Sequence, residues 1–174
     1  HLTFAPVVDV NNNPDNPIIN IRSFGADPQQ VARLGTAWIW SAQKNGLLAT
    51  VKHYPGHGNT ATDSHTSLGK VPGTIEEIRQ TELVPFKDAI KNGGVSSVMP
   101  AHLWVPAVDA SPLPATLSRG VMTDILRKEL GFEGILFTDA MVMGAITKQF
   151  SMDEAIIRAV EAGCDAILMP ADAM

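Results

Sequence analysis

A single cysteine, Cys164, takes any internal disulfide out of consideration and fixes no compartment. It stands in Gly163-Cys164-Asp165-Ala166-Ile167-Leu168-Met169, at the entrance to a strand-like run, where a small buried hydrophobe is the expected role. Basic residues are also short, 13 Lys and Arg against 18 Asp and Glu, for a net charge of −5. Phosphate backbones select clustered Lys and Arg, so no nucleic-acid partner is expected. No apolar run approaches the ~18 residues of a membrane span. No Gly-x-Gly-x-x-Gly opens a helix, which counts against dinucleotide binding. What is left, 45% apolar and 18% charged residues, fits one globular, enzyme-like domain. The chain begins at His1, opens almost at once into Phe4-Ala5-Pro6-Val7-Val8, and is expected to be part of a longer protein.

Short apolar runs alternate with helical patterns. Strands are expected over Phe4–Val10, Leu47–Val51, Val95–Met99, Ile135–Thr138 and Ala166–Met169. Between them, Asp27-Pro28 pairs an N-cap with proline at the first helical position, and Val31, Leu34, Trp38 and Ala42 recur on one face until Gly46. Thr74 and Glu77 have capping-box spacing, and Pro85 should kink or split the helix they start. Ser118 begins a helix closing at Gly131, and Ser151 with Glu154 begins another closing at Gly163. Strand followed by helix, repeated, implies βαβ units on a parallel sheet. By pattern, a doubly wound sheet and part of an eight-stranded barrel both remain open.

Polar residues collect at the expected C-terminal ends of strands, where parallel α/β folds build their sites. Asp9 follows Val7-Val8, Lys52-His53 follow Ala49-Thr50-Val51, His102 lies past Ser97-Val98-Met99, and Asp139 follows Ile135-Leu136-Phe137-Thr138. A lone Asp139 reads equally as a helix N-cap, but Ala140-Met141-Val142-Met143 is a poorly capped continuation. The loop running from Lys52-His53-Tyr54-Pro55-Gly56-His57-Gly58 to Asp63-Ser64-His65 admits three chemistries. His53, His57, Asp63 and His65 suggest a zinc site, although Pro55, Gly56 and Gly58 make a helical His-x-x-x-His pair improbable. Lys52 and the glycines suggest a phosphate cradle, without the Gly-Lys-Ser/Thr end that such a loop needs. Asp63 and His65, two residues apart, suggest an acid–base pair in which the carboxylate fixes the imidazole tautomer. An exposed His on an Asx-type turn is the plain reading of the same residues.

The loop Lys52-His53-Tyr54-Pro55-Gly56-His57-Gly58 with Asp63-Ser64-His65 resembles the signature of the β-N-acetylglucosaminidases of glycoside hydrolase family 3. Asn16-Pro17-Ile18-Ile19 running into Arg22-Ser23-Phe24-Gly25, Pro114-Ala115-Thr116-Leu117-Ser118, and Gly131-Phe132-Glu133-Gly134 leading into Thr138-Asp139-Ala140-Met141 are similar to it as well. The resemblance runs essentially end to end. It implies a (β/α)₈ TIM-type barrel, present here as a partial barrel of about the last five β/α units, with the N-terminal strands missing from a single domain over 1–174. It also implies retaining removal of terminal β-linked N-acetylglucosamine. By matching motif, Asp139 is the nucleophile, His65 paired with Asp63 is the acid/base, and Arg22, Lys52 and His53 hold sugar hydroxyls. The implied partner is a carbohydrate containing N-acetylglucosamine, with no metal and no organic cofactor.

Two further residues are possible site members: His102, as a wall of the site or a satisfied turn residue, and Trp104, as a sugar platform or core packing. Two alternatives from other classes stand beside the glycosidase. One is a non-catalytic carbohydrate-binding fragment, and the other a metal-dependent hydrolase using His53, His57, Asp63 and His65.

Overall fold

A computed structural model describes residues 1–61 and 67–170. Its main sheet has five strands in the order β1 (Leu2–Thr3), β2 (Leu48–Tyr54), β4 (Ser97–Pro100), β6 (Ile135–Ala140) and β7 (Ala166–Leu168). All neighbours run parallel, and the sheet curls into a half-barrel. A second, two-stranded parallel sheet joins β3 (Gly69–Lys70) to β5 (Leu103–Trp104).

Helices carry the chain between parallel strands. α1 (Pro28–Lys44) links β1 to β2, α2 (Ile75–Gln80) and α3 (Leu83–Lys91) link β2 to β4, and α4 (Gly144–Thr147) with α5 (Met152–Ala162) link β6 to β7. The Gly120–Glu129 helix, π-wound at its end with Leu130 N–H donating to the Ile125 carbonyl at 2.9 Å, links β4 to β6. The expected caps hold. Asp27 accepts from Gln30 N–H, Thr74 and Glu77 form the reciprocal box, Ser118 accepts from Val121 N–H, and Ser151 accepts from Glu154 N–H.

Two expectations are corrected. The first strand is regular only over Leu2–Thr3, not over Phe4–Val10. Pro6 has no N–H to give to a ladder, so the chain follows β2 by single bonds, from Thr50 N–H to the Ala5 carbonyl and from Val8 N–H to the Lys52 carbonyl. The helix begun at Thr74 does split, but at Thr81-Glu82, which leaves Pro85 inside the first turn of α3, where its missing N–H has no partner to lose.

The core is continuous from the sheet into this helical layer. Tyr54, at the end of β2, packs edge-on against Phe86 of α3, with ring centroids 5.4 Å apart at 86°, and its hydroxyl donates to the Val121 carbonyl at 3.1 Å. Both rings are fully buried. This packing anchors the end of β2 against the helical layer. Phe86→Ala should therefore lower stability by about 3–5 kcal/mol in equilibrium urea unfolding. A loss under about 1 kcal/mol would mean that the ring is not part of a packed core.

Candidate active site

Strand geometry brings the polar strand ends to one edge of the half-barrel. There a pocket of ≈ 210 Å³ is lined by Ile18, Arg22, Lys52, His53, His57, Met99 and Asp139. Four sequence-predicted residues, Arg22, Lys52, His53 and Asp139, thus converge although they come from three segments far apart in the chain. A larger hollow of ≈ 690 Å³ lies between α1 and α3, around Trp40 and Asp88, away from every strand end.

The organising group is Asp9, whose side chain is fully buried behind the pocket. Its carboxylate accepts from His53 N–H at 3.2 Å, from His53 Nδ1 at 2.8 Å and from His57 N–H at 2.7 Å. Burial alone would raise its pKa, but the neighbouring His53 ring, that ring's hydrogen bond and the His57 amide hold it below the usual carboxylate value. A carboxylate only accepts here, so His53 Nδ1 carries the hydrogen, leaving Nε2 to accept from the Arg22 guanidinium at 3.3 Å. One buried charge thereby sets the tautomer of His53 and, through it, the place of Arg22.

Just after β2, the turn from His57 to Thr60 is tied down by its own hydrogen bonds. His57 Nδ1 lies 2.6 Å from Thr60 Oγ1, and that hydroxyl donates to the His57 carbonyl at 2.9 Å. Burial pushes the His57 imidazole below its ordinary pKa, against the raising effect of Asp9. Asn16 staples this turn to the Ile18–Arg22 turn. Its amide donates to the His57 and Thr60 carbonyls at 2.8 and 2.9 Å, and its oxygen accepts from Ile18 and Ile19 N–H. Glycine is required at two places. A Cβ at Gly58 would lie 1.9 Å from the Val10 carbonyl oxygen, and one at Gly56 would lie 2.7 Å from Glu82 Cβ. Glu82 is itself buried beneath the loop, accepting from Asn59 at 3.3 Å, and burial raises its pKa.

Lys52 is half-buried between charges. Burial and the Arg22 cation lower its pKa, while the Asp139 and Asp9 carboxylates act the other way. Asp139 lies where the β6–β7 register shifts between Phe137 and Ala140, the kind of irregularity that re-aims a side chain, and its Oδ1 accepts from Ala140 N–H at 2.7 Å. The pocket therefore offers cationic and imidazole donors facing the half-buried Asp139 carboxylate, with Ile18 and Met99 as apolar walls. Such an arrangement can hold hydroxyl groups while a nucleophile attacks.

The remaining candidates fall elsewhere. His102 is fully buried, with Nδ1 2.9 Å from Thr116 Oγ1 and Nε2 3.0 Å from the Ala140 carbonyl, and it does not line the pocket. Trp104 gives its indole N–H to the Asp109 carbonyl at 2.9 Å, and Lys70 lies 5.8 Å from its ring centre. Asp63 and His65 lie outside the described residues. Among the described residues, no group of three or more His, Cys, Asp or Glu side chains is placed to hold a metal ion. No helix of the described residues is long and apolar enough to cross a membrane. Sequence reasoning placed Asp9 at a strand end but gave it no role, and it missed Asn16 and Thr60. A buried Asp at a strand end was the available signal for Asp9. Asn16 stood in a motif of the family resemblance but showed no sign of its distant partners, and Thr60 gave no signal.

Asp9→Asn tests this arrangement, because it keeps the shape and removes the charged acceptor. It should cost about 1.5–3 kcal/mol at neutral pH. A depressed folded-state pKa means that the Asp9 contribution is complete at neutral pH and is lost as pH falls below ~4 toward the folded value. The variant should accordingly show a smaller loss of stability on acidification, read by urea unfolding at neutral pH and at a pH well below ~4. An equal acid loss in both proteins would contradict the assignment.

Residues 1–174 match the family described as "Glycosyl hydrolase family 3 N terminal domain". "Beta-hexosaminidase A" of Pseudoalteromonas piscicida is 42% identical over 98% of this chain and 30% of its own length. A "Beta-hexosaminidase" of Tolumonas auensis is 38% identical over 96% of this chain and 49% of its own. A solved glycoside hydrolase family 3 β-N-acetylglucosaminidase from Paenibacillus sp. str. FPU-7 superposes with a TM-score of 0.94 at 49% identity, covering 97% of this chain and 32% of that one. The chain thus spans between about a third and a half of these relatives' length.

Proposed function

Since the chain belongs to glycosyl hydrolase family 3, we propose that it forms part of the catalytic barrel of a retaining exo-β-N-acetylglucosaminidase. The observation that carries this reading is the convergence of Arg22, Lys52, His53 and Asp139 on one pocket at the C-terminal edge of a parallel half-barrel. The relatives named β-hexosaminidase and β-N-acetylglucosaminidase support the substrate class, a carbohydrate ending in β-linked N-acetylglucosamine. In the same reading the five strands are the last five of an eight-stranded barrel, and preceding strands supply the rest of the sugar pocket.

The chemistry follows from the groups. Arg22, Lys52 and His53 bind sugar hydroxyls and fix the ring so that its anomeric carbon faces Asp139. An Asp139 carboxylate oxygen attacks that carbon, the glycosidic bond breaks, and the departing oxygen takes a proton from His65. A glycosyl ester on Asp139 results. Water then attacks the same carbon and gives its proton to His65, and Asp139 leaves as a carboxylate, so configuration is retained over two inversions. Asp63 holds the His65 imidazole in the tautomer that serves both transfers.

Aryl N-acetyl-β-glucosaminides of graded leaving-group acidity test the scheme in the natural full-length polypeptide. Asp139→Ala should lose several orders of magnitude in kcat on every substrate. His65→Ala should lose about 10²–10⁴-fold on poor leaving groups and much less on activated ones, which need no proton. Substantial turnover by Asp139→Ala, or a uniform loss in His65→Ala, would overturn the respective role. The matching β-glucosides should turn over far more slowly in the unaltered enzyme.

A further inference from the structure

Past Leu136, β6 outruns the β4 ladder, whose last pair is Val98 with Leu136. On the other side its register against β7 shifts between Phe137 and Ala140. Asp139 therefore sits on a stretch of strand that β4 no longer pairs, held on its other side by β7, where Met141 N–H donates to the Leu168 carbonyl at 3.0 Å. Ala140, the next residue, has both its main-chain polar groups bonded. Its N–H donates to Asp139 Oδ1 at 2.7 Å, and its carbonyl accepts from His102 Nε2 at 3.0 Å and from Met143 N–H at 3.2 Å. A carbonyl only accepts, so His102 Nε2 carries the hydrogen. His102 comes from the segment that follows β4, and Thr116 Oγ1 meets its Nδ1 at 2.9 Å.

We propose that His102 is a positioning residue for Asp139: from the segment after β4 it supplies the cross-strand bond that the β4–β6 ladder no longer makes, and through the Ala140 peptide it aims the Asp139 carboxylate. Among the described residues, the His102 ring meets Thr116 and the Ala140 carbonyl, neither of which lines the pocket. The contribution of His102 is geometric. Letting the Ala140 carbonyl swing away would turn the adjoining peptide and release Asp139 Oδ1 from its amide donor. A displacement of a reacting atom by about 1 Å costs on the order of 100-fold in rate. The inference rests on the reading of Asp139 as nucleophile.

Two substitutions separate the bonds of the ring. A glutamine amide reaches about where Nε2 lies and can still donate to the Ala140 carbonyl. An asparagine amide reaches about where Nδ1 lies, and so can meet Thr116 but not the Ala140 carbonyl. In the natural full-length polypeptide, kcat per active site, the dissociation constant of a competitive N-acetylglucosamine analogue, and thermal stability are measured for His102→Gln, His102→Asn and Asp139→Ala. His102→Asn should lose about 100-fold in kcat with analogue binding within about two-fold, and His102→Gln should recover at least about ten-fold of that loss. Thr116→Val, which leaves the Ala140 bond in place, should lose less than a tenth of what His102→Asn loses, and it serves if His102→Asn does not fold. Equal activity in the Gln and Asn variants, or a Thr116→Val loss as large as that of His102→Asn, would overturn the positioning role while Asp139→Ala remained inactive. An active Asp139→Ala would instead overturn the nucleophile reading beneath it.

Discussion

A carboxylate with no access to water is the constraint on which this site depends. Asp9 is fully buried, and an unpartnered charge in that position would cost several kcal/mol. The chain meets the cost with donors from the end of β2, the His53 amide and ring, and from the loop after it, the His57 amide. Those bonds fix where the loop leaves the strand. They also orient His53, so that its other ring nitrogen meets Arg22, which arrives from the separate turn stapled by Asn16. Arrangement of the donor wall of the pocket is thus a consequence of satisfying one buried charge.

Asp139 is held by a different device on the facing wall. Lys52 and His53 ride on a strand whose end is packed by Tyr54 against Phe86 and the Val121 carbonyl. Asp139 sits instead where β6 has outrun β4 and slipped in register against β7. The division suits the proposed chemistry. Hydroxyl-binding groups gain from a rigid frame, and a nucleophile needs an aim that a regular strand would not give it. The outer helices contribute packing, and the polar groups that line the pocket belong to strand ends and the segments beside them.

Periodicity and punctuation made much of this legible. Caps at Asp27, Thr74, Ser118 and Ser151 are local hydrogen-bonding patterns, readable within four residues, and the helices begin where those residues stand. Strand ends carrying Lys52, His53 and Asp139 were readable because apolar runs stop abruptly at ionisable residues. The first strand was misplaced because Pro6 interrupts hydrogen bonding while leaving the apolar pattern intact. The functions of Asp9 and His102 were beyond any local pattern. Asp9 acts on residues 44 and 48 positions away, and His102 on a carbonyl 38 positions away. Such pairings are decided by how strands register, which composition does not encode. The roles of Asp63 and His65 came from family resemblance, and those residues lie outside the described part of the chain.

Retaining chemistry at this site requires that Asp139 become covalently bonded to sugar. Brief reaction of the natural full-length enzyme with a fluorinated N-acetylglucosaminyl donor, which slows the second displacement, followed by peptide mapping by mass spectrometry, reads this directly. A single glycosyl adduct on the peptide Gly134-Ile135-Leu136-Phe137-Thr138-Asp139-Ala140, localised to Asp139, is the predicted result. An adduct on another residue, or steady turnover of unactivated substrate with inversion at the anomeric carbon, would contradict it.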